Sequence, residues 1–367
     1  KKLKEKKILK LLNNKKINKI YSILKLKIKK YKLFNYLNIK KINLMFSTLI
    51  NSFKEKKKKI YLRPETAQGI FLNFNNLKNF NKLHIPFGIA QIGKVFRNEI
   101  ITKQFIFRTK EFEQMEMEFF IEPGTEKKWF KYWLKERFIW HKFLKLGKKN
   151  YKFKKHQKLS HYSKYAVDIE FNYINKFKEL EGIHFRKDYD LKNHQLKSKK
   201  KLFFFNKKKN KKYIPYVIET SLGLDRVFFS ILSKSFKIQK LKNNIKRIYL
   251  KLPKFIAPIK IAVFPLIKNN INIIQIAKKI YINLKFIFFD VIFDDKGSIG
   301  KRYRIQDSIG TPYCVTIDKI SIKKKTVTIR NRDNMLQKRY KIKFLYKYFK
   351  NKFNVIKILK KINKDYV

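Results

Sequence analysis

A single cysteine, Cys314, in 367 residues excludes an internal disulfide framework and any zinc site built from several thiolates. Acids are scarce, 26 against 92 basic residues, and so are glycine, with ten, and proline, with eight. No apolar run reaches the length of a membrane span and no secretory leader is read at the start, so no membrane is expected among the partners and the cytoplasm is the expected compartment. The six histidines (His84, His141, His156, His161, His184, His194) show no paired metal-ligand spacing and are expected to be solvated or core side chains. Hydrophobic residues still make up 44% of the chain, which excludes a disordered polycation, and the length suffices for two domains.

What is abundant is lysine, isoleucine, asparagine and phenylalanine, whose codons are A/T-rich. Only twelve of the basic residues are arginine. Such a bias fits the AT-rich genome of a bacterial endosymbiont, or of an organelle. The formal charge of +66 is therefore weak support for a nucleic-acid partner, although a polyanion would be attracted by it. Residues that resist the bias mark positions where lysine or asparagine does not serve. Gly69, Gly88, Gly93, Gly182, Gly223, Gly297, Gly300 and Gly310 fall in clusters, with Arg63, Arg97, Arg108, Arg186, Arg226, Arg302 and Arg304 in or beside them.

By texture the chain divides into three parts. Residues 1–60 are lysine-rich and read as one or two basic amphipathic helices, with "INLMFSTLI" (42–50) the one apolar island. Residues 61–250 hold most of the rare glycines, acids and arginines. Within them "GTEKKWFKYWLKERFIWHKFLKLG" spaces Phe130, Leu134 and Phe138 for one helix face, with Trp129 and Trp133 beside them as core. "KSKKKLFFFNKKKNKK" reads as a charged loop or hairpin, and residues 236–256, ending at Pro253 and Pro258, read as a linker. Residues 257–367 alternate strand, helix, strand, glycine turn, helix and strand, the pattern of a small α/β domain. The "GSIGKRY" turn is either a phosphate cradle or a plain helix start, and it lacks the Gly-Lys-Ser/Thr ending of a nucleotide-hydrolysis loop.

The chemistry sits in the middle part. "RPETAQGIF" (63–71) places an arginine, a proline, a glutamate and a glycine within seven residues. "GIAQIGKVFRNEI" and "FIFRTKEFEQMEMEFFIEP" read as an antiparallel hairpin, in which Gln114, Glu116 and Glu118 alternate with Met115, Met117 and Phe119. Carboxylates lined up on one face need cations, and Arg97 and Arg108 flank the loop. Retained arginine points to the planar two-pronged donor, which suits phosphate and stacks on flat rings.

Phe96-Arg97-Asn98-Glu99, with the arginine and phenylalanines that follow its loop, resembles the second signature motif of class II aminoacyl-tRNA synthetases. "YVIETSLGLDRVFFSIL" (216–232) resembles the third. "YLRPETAQGIFLNF", "FIFRTKEFEQMEMEFF", "ELEGIHFRKDYDLKNH" and "DDKGSIGKRYRIQDSIGTPYCVTID" together look like the dimeric glycyl-tRNA synthetase family, over residues 43 to about 340. The fold this implies is an α+β class II catalytic domain, an antiparallel sheet with flanking helices, followed by a small α/β anticodon-binding domain.

The activity implied is ATP-dependent ligation of glycine to tRNA(Gly) through glycyl-adenylate. The resemblance implies catalytic roles for Arg97, Glu99, Arg108 and Arg226. It implies ATP binding by these with Asn98, Phe107, Phe112, Glu179, Leu180, Glu181, Gly223, Leu224 and Asp225. Phe112 and Arg226 would sandwich the adenine. Glycine would be held by Glu65, Phe112, Glu113, Gln114, Glu116, Glu219, Ser221 and Gly223, and Mg²⁺ by Glu181 or Glu179 with Glu219. For Glu65 the plainer reading is a carboxylate in the first turn of a helix starting near Thr66.

The sequence departs from the family in two places. Thr220 stands where the third motif usually has proline, and the first motif, which builds the family's homodimer interface, is not found. The chain is therefore expected to lack an N-terminal part. Two other readings remain: a class II enzyme for another small amino acid, or a non-catalytic RNA-binding relative.

Overall fold

The computed structural model describes residues 43–52, 55–102, 105–157, 165–173, 176–241 and 244–364. The basic helices expected over residues 1–60 fall, for 1–42, outside the described residues. Where that stretch is described it is not helical. Strands β1 (Ser47–Ser52) and β2 (Glu55–Tyr61) pair antiparallel from Ser47 opposite Tyr61 to Ser52 opposite Glu55. Lysine density suggested helix; the Ser-Thr-Leu-Ile run has the β-branched content of a strand, and the pairing decides.

From Arg63 onward the first element is a pair of short helices, α1 (Ala67–Leu72) and α2 (Phe74–Phe80). A six-stranded antiparallel sheet follows, built from β3 (Phe87–Phe96), β4 (Glu111–Ile121), β5 (Tyr151–Lys155), β6 (Tyr165–Tyr173), β7 (Lys176–Lys187) and β10 (Tyr216–Gly223). Their order is β3-β4-β10-β7-β6-β5. Between β7 and β10 lie helix α4 (Tyr189–Ser198) and the short hairpin β8 (Phe204–Asn206) with β9 (Lys211–Tyr213), the hairpin alternative for the lysine-rich stretch.

Helix α3 (Glu126–Phe143) covers one face of the sheet. Phe130 is buried there, and Trp129, Trp133, Leu134 and Phe138 pack against Phe119, Ile121, Ile169 and Phe171, so the expected aromatic stripe is core. On the other face Phe87, Phe120 and Val217 meet Ala67, Ile70, Phe71, Phe74 and Leu191 from α1, α2 and α4. Each fully buried side chain of this size contributes about 1.5–3 kcal/mol.

Strand β4 inverts the usual alternation. Gln114, Glu116 and Glu118 are buried, while Met115 and Met117 are only half-buried; Phe119, Phe120 and Ile121 bury the strand's far end. The polar side of the strand is thus enclosed by protein, and its carboxylates cannot be a surface lattice.

Residues 236–250 are not a plain linker. After helix α5 (Leu224–Ser235), strands β11 (Phe236–Lys240) and β12 (Lys246–Leu250) form a hairpin. Lysine content suggested a solvated connection, but Arg247 is buried and donates from Nε to Asp307 Oδ2 at 2.9 Å.

The C-terminal part follows the expected order: β13 (Ile261–Pro265), α6 (Ile271–Ile287), β14 (Val291–Phe293), α7 (Ile299–Ile309) and β15 (Tyr313–Ile317). Helix α8 (Lys319–Lys324) and strands β16 (Thr326–Asn331) and β17 (Gln337–Lys341) complete the sheet, ordered β14-β13-β15-β16-β17, parallel in its first three strands. Asn270 caps α6 through Ile273 N–H at 3.2 Å, and Ile273, Ala277, Ile280 and Leu284 bury one helical face. Gly310 ends α7 at φ +92°, and a Cβ there would stand 2.7 Å from Leu252 Cδ1 and 3.1 Å from Leu250 O, so only glycine fits.

Asp307 on α7 is buried and answers two guanidinium groups, Arg247 and, in a two-pronged pair at 2.9 Å each, Arg330. Asp307→Asn should therefore lower stability by about 3–5 kcal/mol, because it leaves two buried cations without an anion. Urea unfolding read by circular dichroism measures this; a loss under 1 kcal/mol would show the network relaxes into solvent.

Candidate active site

The Arg63–Gly69 segment is laid against the end of β3 by its backbone. Arg63 C=O accepts from Phe96 N–H at 2.9 Å, Arg63 Nε donates to Lys94 O at 2.8 Å, and Arg97 Nε donates to Pro64 O at 3.1 Å. Gly93 is what lets the Arg63 guanidinium cross the strand, since a Cβ there would overlap it. Thr66 then turns inward. Its N–H and Oγ1 donate to Glu116 Oε2 at 3.0 and 2.6 Å, and its N–H also reaches Gln114 Oε1 at 3.2 Å. Glu65 does not sit in the first turn of α1; it is half-buried and accepts from Gln68 Nε2 at 2.8 Å.

Strand register assembles the acidic floor. Across β10 and β4, Glu219 faces Glu118, Ser221 faces Glu116 and Gly223 faces Gln114. Carboxylate atoms of Glu116, Glu118 and Glu219 lie within 4.8 Å of one another. Gln114 Nε2 ties the row together, donating to Ser221 Oγ at 2.7 Å and to Glu116 Oε1 at 3.2 Å.

Their environments differ. Burial resists ionisation of Glu219, but His184 at 3.2 Å and the Arg186 guanidinium outweigh it and hold its carboxyl down to about 2. Burial, with Glu219 nearby, pushes Glu116 up to about 7 against the pull of the Thr66 hydrogen bond. Glu118 is 0% exposed, neither of its oxygens has a hydrogen-bond partner among the described residues, and burial followed by the Glu219 charge drives it well above the ordinary range. One anion and two poised acids line this floor.

Next to the floor opens a cleft of about 170 Å³, walled by Arg97, Glu99, Phe107, Arg108, Phe112 and Gln114 from one side and by Glu179, Ser221, Gly223, Asp225 and Arg226 from the other. The Arg97 guanidinium lies over the Phe112 ring at 5.4 Å, and that of Arg226 over Phe107 at 4.4 Å. Arg226 also donates to the carbonyls of Phe107 and Glu179, each at 3.2 Å. Arg108 is half-exposed and stands 3.8 Å from Glu99. Asn98 lies between Arg97 and Glu99 in the chain and is half-buried. Asp225, in the first turn of α5 after Leu224, accepts from Glu113 N–H at 3.1 Å and pins the helix start to β4.

Not every expected residue belongs to this wall. Leu180 is core, packed with the α3 side of the sheet. Glu181 pairs with Leu222 across β7 and β10, whereas Glu219 pairs with His184, so the two glutamates project from opposite faces. Glu181 is buried against α3, where Arg137 and His141, the latter at 2.7 Å, offset its burial and hold its carboxyl below the ordinary range. Glu181 and Glu219 therefore cannot share one cation, and the expected magnesium pair does not fit. Glu179 is the member of the expected set that faces the cleft, 3.5 Å from Arg226.

Four participants were not singled out as site residues: Thr66, His184, Arg186 and Asp190. Arg186 is buried, donates to Asp190 at 2.7 and 2.8 Å and to Glu219, and is the counter-charge of the floor. Its rarity as an arginine in a lysine-rich chain was the available signal.

Residues 46–235 match the family described as tRNA synthetase class II core domain (G, H, P, S and T), and residues 260–352 match the anticodon binding domain. The chain is 50% identical over 301 residues to a glycine–tRNA ligase of Borreliella burgdorferi, covering 81% of this chain and 67% of that protein. It is 49% identical over 301 residues to one of Ruminiclostridium cellulolyticum and over 302 residues to one of Acetivibrio thermocellus, covering 82% of this chain and 64% of each. The chain spans about two thirds of these relatives' length.

Glu118 supplies a test of the floor. Its raised folded-state value means the folded chain keeps a proton that the unfolded chain loses near pH 4.5, so this group costs stability as pH rises from there toward its folded value. Glu118→Gln should match the parent near pH 5 and exceed it progressively above, by about 1.4 kcal/mol per pH unit while Glu118 stays protonated. Urea midpoints at pH 5 and pH 7.5 report it; parallel behaviour of the two chains would mean Glu118 is ionised in the fold.

Proposed function

As this chain belongs to the class II aminoacyl-tRNA synthetases, among the glycine–tRNA ligases, we propose that it activates glycine with ATP and transfers the glycyl group to the 3′ end of tRNA(Gly). One observation carries the reading. The arginine-walled cleft and the buried acidic floor are contiguous, meeting at Gln114 and Ser221, so an anionic nucleotide and an ammonium-bearing substrate would lie side by side.

In the first step a carboxylate oxygen of glycine attacks the α-phosphorus of ATP, the bond to pyrophosphate breaks, and glycyl-adenylate forms. Two anions must approach, so cations aimed at the developing charge are what the site has to supply. Arg97 is assigned to the α-phosphate and the glycine carboxylate, Arg108 to the outer phosphates, and Glu99 to the adenine amino group. Phe112 and Arg226 are assigned to the two faces of the adenine. Arg226 would then exchange its contact with Phe107 for one with the base, a role that lysine's compact ammonium cannot fill. In the second step the terminal adenosine hydroxyl of the tRNA attacks the glycyl carbonyl and AMP leaves.

Glu65, Glu116, Glu219 and Ser221 are assigned to the glycine end, beside Glu113 and Gly223. Arrival of an ammonium would favour the ionised form of Glu116, whose carboxyl is held up to about 7 without it. A methyl group in an ordinary apolar pocket is discriminated only about 10–200-fold. Here alanine's methyl would also separate buried carboxylates from their donors, which adds to the penalty. The C-terminal α/β part is assigned to tRNA through its anticodon. ATP is the nucleotide substrate; its Mg²⁺ has no ready site in the Glu181 and Glu219 pair. A homodimer and a cytoplasmic location follow from the family and stay part of this proposal. The non-catalytic alternative is disfavoured because the cleft keeps Arg97, Glu99, Arg108, Phe112 and Arg226 together.

ATP–pyrophosphate exchange with glycine tests the reading. Arg226→Lys should lower exchange about 10–100-fold through loss of stacking worth about 1–3 kcal/mol, while tRNA binding by filter retention stays unchanged. Glu65→Gln should lose activation of glycine. Near-normal exchange in both variants would overturn the assignments, and no glycine-dependent exchange by the parent would overturn the activity.

A further inference from the structure

Beyond the acidic floor, on the same face of the sheet but toward its β6 and β5 edge, a second cluster of ligating side chains forms. His156 follows β5 and continues its ladder, its N–H donating to Ala166 O at 3.1 Å. Its Nε2 stands 2.7 Å from Asp168 Oδ1 on β6. His184 on β7 joins them: one ligand atom each from His156, Asp168 and His184 lies within 4.8 Å of the others. We propose that these three residues form a binding site for a divalent transition-metal ion of the zinc type.

Three features favour an ion over a plain His–Asp pair. The first is the orientation of His184. Its Nδ1 is 3.2 Å from Glu219 Oε1, the carboxylate–histidine arrangement that places a proton on Nδ1 and leaves the Nε2 lone pair for a metal. The second is the space made for that ring. Gly182 pairs with Asp168 across β6 and β7, and a Cβ at Gly182 would stand 2.8 Å from His184 Cε1 and 3.2 Å from Nε2. The free edge of the imidazole therefore leans over glycine toward the Asp168 row.

The third feature is the competition for Asp168. Lys154 faces it directly across the ladder but sends its ammonium to Glu170 Oε1 at 3.0 Å. The carboxylate is left to histidine. Two imidazoles and one carboxylate suit zinc, cobalt or nickel; magnesium and calcium demand more oxygen donors. Nitrogen and oxygen ligands of a zinc ion stand about 2.0–2.2 Å from it, so atoms within 4.8 Å of one another are near the spacing of one ligand shell. Asp168 is 10% exposed and His184 21%, while His156 at 34% opens the site to solvent and leaves a fourth position for water. This site does not depend on the proposed ligase reaction.

The test uses the untagged full chain, stripped with chelator and titrated with Zn²⁺ by calorimetry, with Co²⁺ as a visible-light probe. One Zn²⁺ per chain is expected, together with the intense Co²⁺ absorption of low-coordinate nitrogen and oxygen ligation. His156→Ala and Asp168→Asn should each weaken binding tenfold or more, about the scale for loss of a group that supports a metal. His156 is exposed enough that its variant should keep the parent's metal-free melting curve, which separates lost ligation from lost folding. Equal stoichiometry and affinity in the parent and His156→Ala would overturn the site, as would Co²⁺ spectra indistinguishable from the hydrated ion.

Discussion

Arg186 is the cation on which the acidic interior of the sheet depends. Its guanidinium is buried, grips both oxygens of Asp190 and also reaches Glu219. Remove that charge and Glu219, Asp190 and the neighbouring Glu116 and Glu118 would face one another in a region closed to water, where an unpaired ion costs several kcal/mol. With it in place Glu219 stays ionised while Glu116 and Glu118 are pushed toward the neutral form. One arginine thus divides three clustered carboxyls into different protonation states, the condition for receiving a small ammonium group without building a permanently overcharged pocket.

The same sheet separates its functions by face. Its α3 side is mainly aromatic and aliphatic, and the charge of Glu181 there is neutralised by Arg137 and His141. Its other side carries the acidic floor, the Thr66 contacts from the Arg63–Gly69 segment and, farther along, the His156, Asp168 and His184 cluster. Glu219 and His184 connect these through a hydrogen bond, so the proposed metal site and the glycine end share a carboxylate. The surplus positive charge of the chain has little part in this geometry. Where charge is buried and functional it is carried mainly by arginine, whose fork matches carboxylates at fixed distance.

Much of the fold was legible locally. The helix Glu126–Phe143, the strands around Arg97 and Glu116, and the βαβαβ run from Ile261 to Ile317 all have a hydrophobic period that matches the structure. Lysine-rich stretches were less readable. The hairpins Ser47–Tyr61 and Phe236–Leu250 read as helix and linker in the sequence, because lysine tolerates either state and strand pairing alone decides. Of the candidate site, the residues that wall the cleft came from contiguous motifs, whereas Thr66, His184, Arg186 and Asp190 meet the floor from other elements.

The sequence by itself determined which chemistry was available: a few arginines, glycines and glutamates retained in order, and a resemblance covering both domains. Only the tertiary structure decided which of them face each other. Strand register turned Glu181 to the core side and Glu219 to the floor, although both are glutamates within matching motifs. It also brought His156, just after β5, together with Asp168 of β6 and His184 of β7, an association no spacing along the chain could display. The reason is geometric. A strand sends successive side chains to opposite faces, so a one-residue shift in pairing reverses which side a group occupies, and that shift is set by contacts far apart in sequence.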